Sequence, residues 1–129
     1  MLAVLTADVT VAISSDDERY ITQPLPGDWR IVEIHFCPAT ALATHATAYI
    51  TVTITTNDGA AGADSSAIAS FTTITGGTAL VLKTNVDLTI THSSATTLSQ
   101  GAGIKIAKVE TAAGGALDGC FTFVLEKVP

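Results

Sequence analysis

The chain has 129 residues, enough for one domain with a hydrophobic core of its own. Six lysines and arginines against twelve aspartates and glutamates give a net charge of -6, which argues against binding nucleic acid or an anionic membrane surface through bulk electrostatics. Only 14% of the residues are charged and 5% are aromatic, so burial must come mainly from small and β-branched side chains, which favours a β-sandwich over a helical bundle.

Residues 1–25 are interpreted as an N-terminal arm or as the first strands of the domain. Residues 1–5 are apolar, apolar and polar residues then alternate from Asp8 to Ser14, and the chain continues in the polar cluster of residues 14–19. The apolar start has no basic leader and is interrupted by Asp8, so we expect no signal peptide and synthesis in the cytoplasm. No stretch approaches the roughly 20 apolar residues of a membrane span, and we expect no membrane partner.

A proline and glycine breaker at residues 23–28 separates this arm from residues 26–129, which we expect to form the sandwich domain. Alternation resumes at Trp29 and predicts a strand that ends at residues 37–38. Its predicted faces are Val32, Ile34 and Phe36 on one side, and Ile31, Glu33, His35 and Cys37 on the other. Residues 39–47 are too short for a stable helix, and we expect an irregular crossing between sheets.

A β-hairpin is predicted over residues 46–75. In its first strand Ile50, Val52 and Ile54 fall on one face, and threonines fall on the other. The loop of residues 57–65 is rich in glycine and alanine, and we expect it to be an exposed tip.

Further strands are predicted over residues 79–83, 86–91, 104–106 and 121–125. Turn signals recur at intervals of roughly ten residues, as in all-β sandwiches. The sequence therefore predicts an all-β fold, an antiparallel, jelly-roll-like β-sandwich of about eight short strands with an N-terminal arm.

No catalytic, metal or cofactor motif stands out. His35, His45 and His92 lie on different predicted elements with no short ligand pair, and their convergence in space is the one route to an enzyme. No serine lies in a G-x-S-x-G elbow. Cys37 and Cys120 have no metal-ligand spacing, and we expect two buried free thiols rather than a disulfide. We therefore predict a protein that is not an enzyme and needs no metal or cofactor.

The residues best suited to contact a partner lie in and beside the arm. Residues 1–4 and 9–13 are too apolar to be left in water, so the arm either completes the domain's own sheet, which we favour, or adds a strand to a neighbour. A large aromatic after the breaker either packs onto the sandwich, the interpretation we favour, or anchors a partner. The candidate partner-binding residues are Leu2, Val4, Val9, Val11, Tyr20 and Trp29.

Three segments carry a family resemblance: ATHATAYITV at residues 43–52, VDLTIT at residues 86–91 and GAGI at residues 101–104. They resemble small β-sandwich proteins of tailed bacteriophages, namely head decoration, cement or head-fibre proteins. The resemblance implies a virion protein on the outside of the capsid that binds the major capsid protein, associates with itself as a homotrimer and carries no catalytic residue.

The alternative function is a carbohydrate-binding or receptor-binding jelly-roll module of a phage tail or spike. Sugar recognition commonly stacks rings on exposed aromatic side chains. Trp29, Tyr20 and Tyr49 are the aromatic residues considered for this role.

Overall fold

The computed structural model describes residues 1–57, 67–91 and 96–129. These ranges contain nine β-strands and no helix, which confirms the all-β prediction. The strands are β1 (Leu2–Val11), β2 (Asp17–Thr22), β3 (Trp29–Pro38), β4 (Tyr49–Asn57), β5 (Ala67–Thr72), β6 (Val86–Leu88), β7 (Thr97–Leu98), β8 (Gly103–Thr111) and β9 (Leu117–Lys127).

The strands form two antiparallel sheets that pack as a sandwich. The five-stranded sheet has the order β1-β9-β3-β6, with the short β7 also paired to β3, and the four-stranded sheet has the order β2-β8-β4-β5. Four ladders join β1 to β9, β2 to β8, β3 to β6 and β4 to β5, so the chain runs out and back as one long, rolled hairpin. This strand order is that of a jelly roll.

Residues 1–25 contribute the first two strands of the sandwich. β1 pairs with β9 along its whole length, and β2 pairs with β8. The chain crosses between the two sheets in the turn of residues 12–16, where Ser14 has a positive φ of 61°. Of the two alternatives for the arm, the structure thus has the one in which it completes the domain's own sheets.

The core lies between the sheets and follows the strand alternation. Ile50, Val52 and Ile54 of β4 are fully buried, as predicted. Phenylalanines from the opposite sheet fill the centre, and the ring centroids of Phe36 and Phe121 are 4.5 Å apart. Small and β-branched residues from both sheets complete the layer, as the composition indicated.

The predicted faces of β3 are partly wrong because the strand contains a β-bulge. Its register against β9 shifts between Ile31 and Glu33. Ile31 and Ile34 therefore both point into the core, although three positions separate them, and Val32 is only half-buried. Beyond the bulge, Ile34 and Phe36 lie on the predicted face.

Residues 79–83, predicted to form a strand, lie instead in the connection between β5 and β6. Leu80 is buried and forms an isolated bridge with Leu42, whereas Val81 and Leu82 are exposed. Lys83 has a positive φ of 57°, which turns the chain. The apolar run of residues 79–82 is continuous rather than alternating, and Leu80 is its buried member while Val81 and Leu82 lie outside the core.

Two other connections were predicted from the sequence. Residues 39–48 cross irregularly between the sheets, as expected. The hairpin tip was expected at residues 57–65. Asn57 is the last residue of β4, and residues 58–65 lie outside the described residues, as does His92. Within the described part of the chain, no helix has the length and apolarity needed to cross a membrane.

Candidate interaction surface

β1 is an edge strand of the five-stranded sheet, and its side chains alternate between core and solvent. Val9 and Val11 point inward and are 1% and 3% exposed. Leu2 and Val4 point outward and are 67% and 57% exposed. Two of the four candidate contact residues in β1 are therefore core residues, and the other two offer apolar surface.

Trp29 is a core residue at the start of β3. Its indole N–H donates to the carbonyl oxygen of Pro26 at 3.1 Å, and Lys127 Nζ lies 5.4 Å from the ring centroid. The side chain is buried, so it fixes the loop of residues 23–28 against the sandwich rather than offering an anchor to a partner. This is the packing alternative weighed from the sequence.

Tyr20 lies on the outer face of the four-stranded sheet. Its side chain is 64% exposed, and its hydroxyl donates to Glu18 Oε2 at 2.5 Å. With Glu18 and Val109 it lines a shallow groove of about 580 Å³. Leu2 and Val4 belong to the outer face of the other sheet, so the structure does not bring the candidate residues into one surface.

The exposed side chains of β1 form a patch with the neighbouring strand. Val4 lies opposite Val124 of β9, and Leu2 lies opposite Glu126. Glu126 Oε2 accepts a hydrogen bond from Arg30 Nη2 at 2.6 Å, so an ion pair borders the apolar side chains. We call Leu2, Val4 and Val124 the apolar edge patch.

His35 lies on the same outer face, between two carboxylates. Its Nε2 is 2.9 Å from Glu33 Oε2, and its Nδ1 is 2.6 Å from Asp87 Oδ1. The hydrogen bonds to Glu33 and then to Asp87 raise the pKa of His35 above its ordinary value, because they stabilise the imidazolium. In its protonated form the ring donates to both carboxylates and links β3 to the short edge strand β6.

Cys37 and Cys120 lie directly opposite each other on β3 and β9, and Asp8 of β1 lies opposite Cys120. Both thiols are free, as expected, but the prediction that they are buried is wrong: Cys37 is exposed and Cys120 is half-buried. Partial burial, followed by the hydrogen bond to Asp8, raises the pKa of the Cys120 thiol. Together with Lys83, these side chains line a shallow cleft of about 550 Å³.

A buried ion pair on β8 was not predicted. Lys108 Nζ is 3.1 Å from Glu110 Oε1, and the two side chains are 1% and 4% exposed. Lys108 also donates to the carbonyl oxygens of Ala12 and Ser15 at 3.0 and 2.7 Å, while the Gly115 N–H donates to Glu110 Oε1 at 2.9 Å. The pair thus joins β8 to two turns, the one that contains Ala12 and Ser15 and the one that contains Gly115. The sequence carries one signal for this pair: the alternation of β8 places residues 104, 106, 108 and 110 on one face.

Of the three histidines considered from the sequence, His35 lies in β3, His45 lies in the connection of residues 39–48, and His92 falls outside the described residues. His45 Nδ1 accepts hydrogen bonds from the backbone N–H groups of Thr47 and Ala48 at 3.2 and 3.0 Å, which stabilises a turn. In residues 1–57, 67–91 and 96–129 there is no group of three or more His, Cys, Asp or Glu side chains that could hold a metal ion.

No protein-family model, curated protein or solved structure matches the chain. Function therefore has to be inferred from the surfaces described above.

Proposed function

We propose that the protein is a structural virion component that decorates the outside of a tailed-phage head and stabilises it by subunit contacts. Its partner is the major capsid protein, which it binds through the apolar edge patch. Copies of the chain also associate with one another, as a homotrimer according to the resemblance. The net charge of -6 supports a protein partner over nucleic acid or an anionic membrane.

The observation that carries this proposal is the exposure of Leu2 and Val4 on a strand that is held in place. Their backbone belongs to a ladder with β9 that extends from Leu2 to Val11. A pre-ordered apolar surface loses little conformational entropy on binding, and the Arg30–Glu126 ion pair supplies the polar rim that interfaces commonly have.

The fold is compatible with this role, because jelly rolls occur in viral capsid proteins as well as in lectins and cupins. A decoration protein needs a stable sandwich and an apolar contact surface. The described residues form a sandwich, and Leu2 and Val4 expose apolar surface on it.

Co-sedimentation of the purified chain with heads of the phage that encodes it tests the proposal. Val4→Asp puts a charge in the apolar edge patch without touching the core, and we expect it to weaken head binding at least about tenfold. Tyr20→Ala on the opposite face is the matched control and should bind like the unmodified chain. Failure of the unmodified chain to bind heads, or equal binding by Val4→Asp, contradicts the proposal.

The alternative role is sugar or receptor binding at the groove beside Tyr20. The observation that favours it is an aromatic ring, 64% exposed, next to the carboxylate of Glu18, since sugars stack on aromatic rings and donate hydrogen bonds to carboxylates. Trp29, the largest aromatic side chain, is buried and does not contribute. A glycan array distinguishes the two roles, because binding that Tyr20→Ala abolishes and Val4→Asp leaves intact supports this one.

A further inference from the structure

The backbone of β1 presents alternate residues to opposite sides. The carbonyl oxygen of Met1 accepts a hydrogen bond from the N–H of Lys127, directly beyond the pair Leu2 and Glu126. In an antiparallel ladder the N–H and C=O of one residue point to the same side and the side alternates along the strand. Odd-numbered residues of β1 therefore bond to β9, and even-numbered residues direct their N–H and C=O groups to the free edge.

At one end of this free edge a side chain bonds to the backbone, whereas the backbone groups nearer the start of β1 face outward. Arg19 Nη2 donates to the carbonyl oxygen of Thr10 at 3.1 Å, and the same guanidinium pairs with Asp17. No hydrogen bond from the described part of the chain reaches the edge-facing backbone groups of Leu2, Val4 or Thr6.

The other edge strands are less suited to pairing. β6 has three residues, and β2 has six, of which the first three are charged. β5 is also shorter than β1, with six residues against ten. β1 has ten residues, no proline and a single charged side chain, Asp8. Natural sheets usually protect a long edge with charges, prolines or bulges, and β1 has little of this protection between residues 2 and 7.

We propose that β1 pairs antiparallel with β1 of a second copy of this chain, so that the two five-stranded sheets become continuous. The occupant is a second copy because the edge is self-complementary. A two-fold axis beside Leu5 brings Val4 of one copy opposite Thr6 of the other, and Leu2 opposite Asp8. The N–H and C=O groups that face the free edge of one copy then meet those of the other. Such a contact is isologous and closes on itself. It also covers part of Leu2 and Val4.

This inference rests on the self-association included in the proposed function and specifies which surface is used. A two-fold contact gives dimers, or pairs of trimers if a separate three-fold contact exists. Association through another surface refutes the pairing but leaves self-association intact. Head binding is measured separately, so failure of the capsid role is distinguishable from failure of the β1 contact.

Sedimentation velocity of the full chain over micromolar to millimolar concentrations, with Thr6→Pro and Thr6→Val, tests the pairing. Proline at residue 6 removes an N–H that faces the free edge and spares the ladder with β9, which is the kind of edge position where proline is tolerated. Valine retains that N–H at the same position. We expect Thr6→Pro to raise the dissociation constant at least about tenfold and Thr6→Val to behave like the unmodified chain.

Hydrogen exchange of the backbone locates the contact. In the associated form the amides of Val4 and Thr6 should become protected as concentration rises, while the amide of Leu5, bonded to β9, is protected throughout. If Thr6→Pro does not fold, Val4→Lys replaces it, because the two lysines lie near each other across the axis and repel. A chain that stays monomeric, a Thr6→Pro variant that associates normally, or association without protection of Val4 and Thr6 overturns the proposal.

Discussion

Breaking the buried pair of Lys108 and Glu110 should destabilise the domain strongly. Glu110→Ala leaves the Lys108 ammonium buried without its counter-ion, although the carbonyl oxygens of Ala12 and Ser15 still accept its hydrogen bonds. Removing one partner of a buried ion pair typically costs 3–5 kcal/mol, and we expect about 3 kcal/mol here because those carbonyls remain. A domain of this size has roughly 5–15 kcal/mol of stability in total, so the loss is a large part of it.

Lys108→Met should cost more, about 4 kcal/mol, because the Glu110 carboxylate keeps only the Gly115 N–H. Its Oε2 already has no partner among the described residues. The double variant Lys108→Met with Glu110→Leu buries no charge. It loses the hydrogen bonds to Ala12 and Ser15, in a turn that is largely exposed, and the one to the buried Gly115. We expect it to cost about 2 kcal/mol, less than either single change.

Guanidinium unfolding followed by fluorescence of Trp29 measures these differences. The indole is buried at the opposite end of the sandwich from the pair, so it reports unfolding of the whole domain. Val109→Thr, at an exposed position on the outer face of the same strand, is the control and should stay within about 0.5 kcal/mol of the unmodified chain. Single changes that each cost less than about 1 kcal/mol, or a double change equal to the sum of the two, refute the reasoning.

Two further predictions concern the outer face of the five-stranded sheet. Since Glu33 and Asp87 raise the pKa of His35 and the opposite residue Thr122 is uncharged, the stability due to protonation is fully present below the unfolded pKa of about 6.5 and is lost as pH rises through the folded value. The stability difference between the unmodified chain and His35→Gln should therefore be larger at about pH 5 than at about pH 9, and a difference that does not change with pH contradicts this. Because Cys37 is exposed while burial and Asp8 raise the pKa of the Cys120 thiol, iodoacetamide should modify Cys37 several-fold faster at mildly alkaline pH. Mass spectrometry of the separate tryptic peptides measures both rates, and equal rates refute the assignment.

The strands were predictable where a strand is buried on one face only. β4 alternates strictly, so Ile50, Val52 and Ile54 could be placed in the core from the sequence. β3 was predicted as a strand, but its inward face could not be followed through the bulge at Ile31, because an extra apolar residue, Val32, looks like another core position.

The surface was harder to predict because composition does not reveal which face of a strand is outward. Val11 and Leu2 are similarly apolar and belong to the same ladder with β9. They lie on opposite faces of β1, so Val11 is buried and Leu2 is exposed. Cysteine is usually a buried residue, and Cys37 departs from that tendency because alternation in β3 takes it to the outer face. The core position of Lys108 was not predicted, because the predicted strand of residues 104–106 ends two residues before it.

The groups that stabilise the fold and the groups offered to partners lie at opposite ends of the sandwich. Lys108 and Glu110 join the turns at one end, whereas Leu2 and Val4 start β1 at the other end and make their main contacts with β9. Substitutions at distant sites with no shared partners usually add independently. Val4→Asp should therefore change partner binding with little effect on unfolding, and Glu110→Ala should lower stability without altering the affinity of the fraction that remains folded. Partner binding that depends on the Lys108–Glu110 pair would mean that the contact surface extends to the loops at that end.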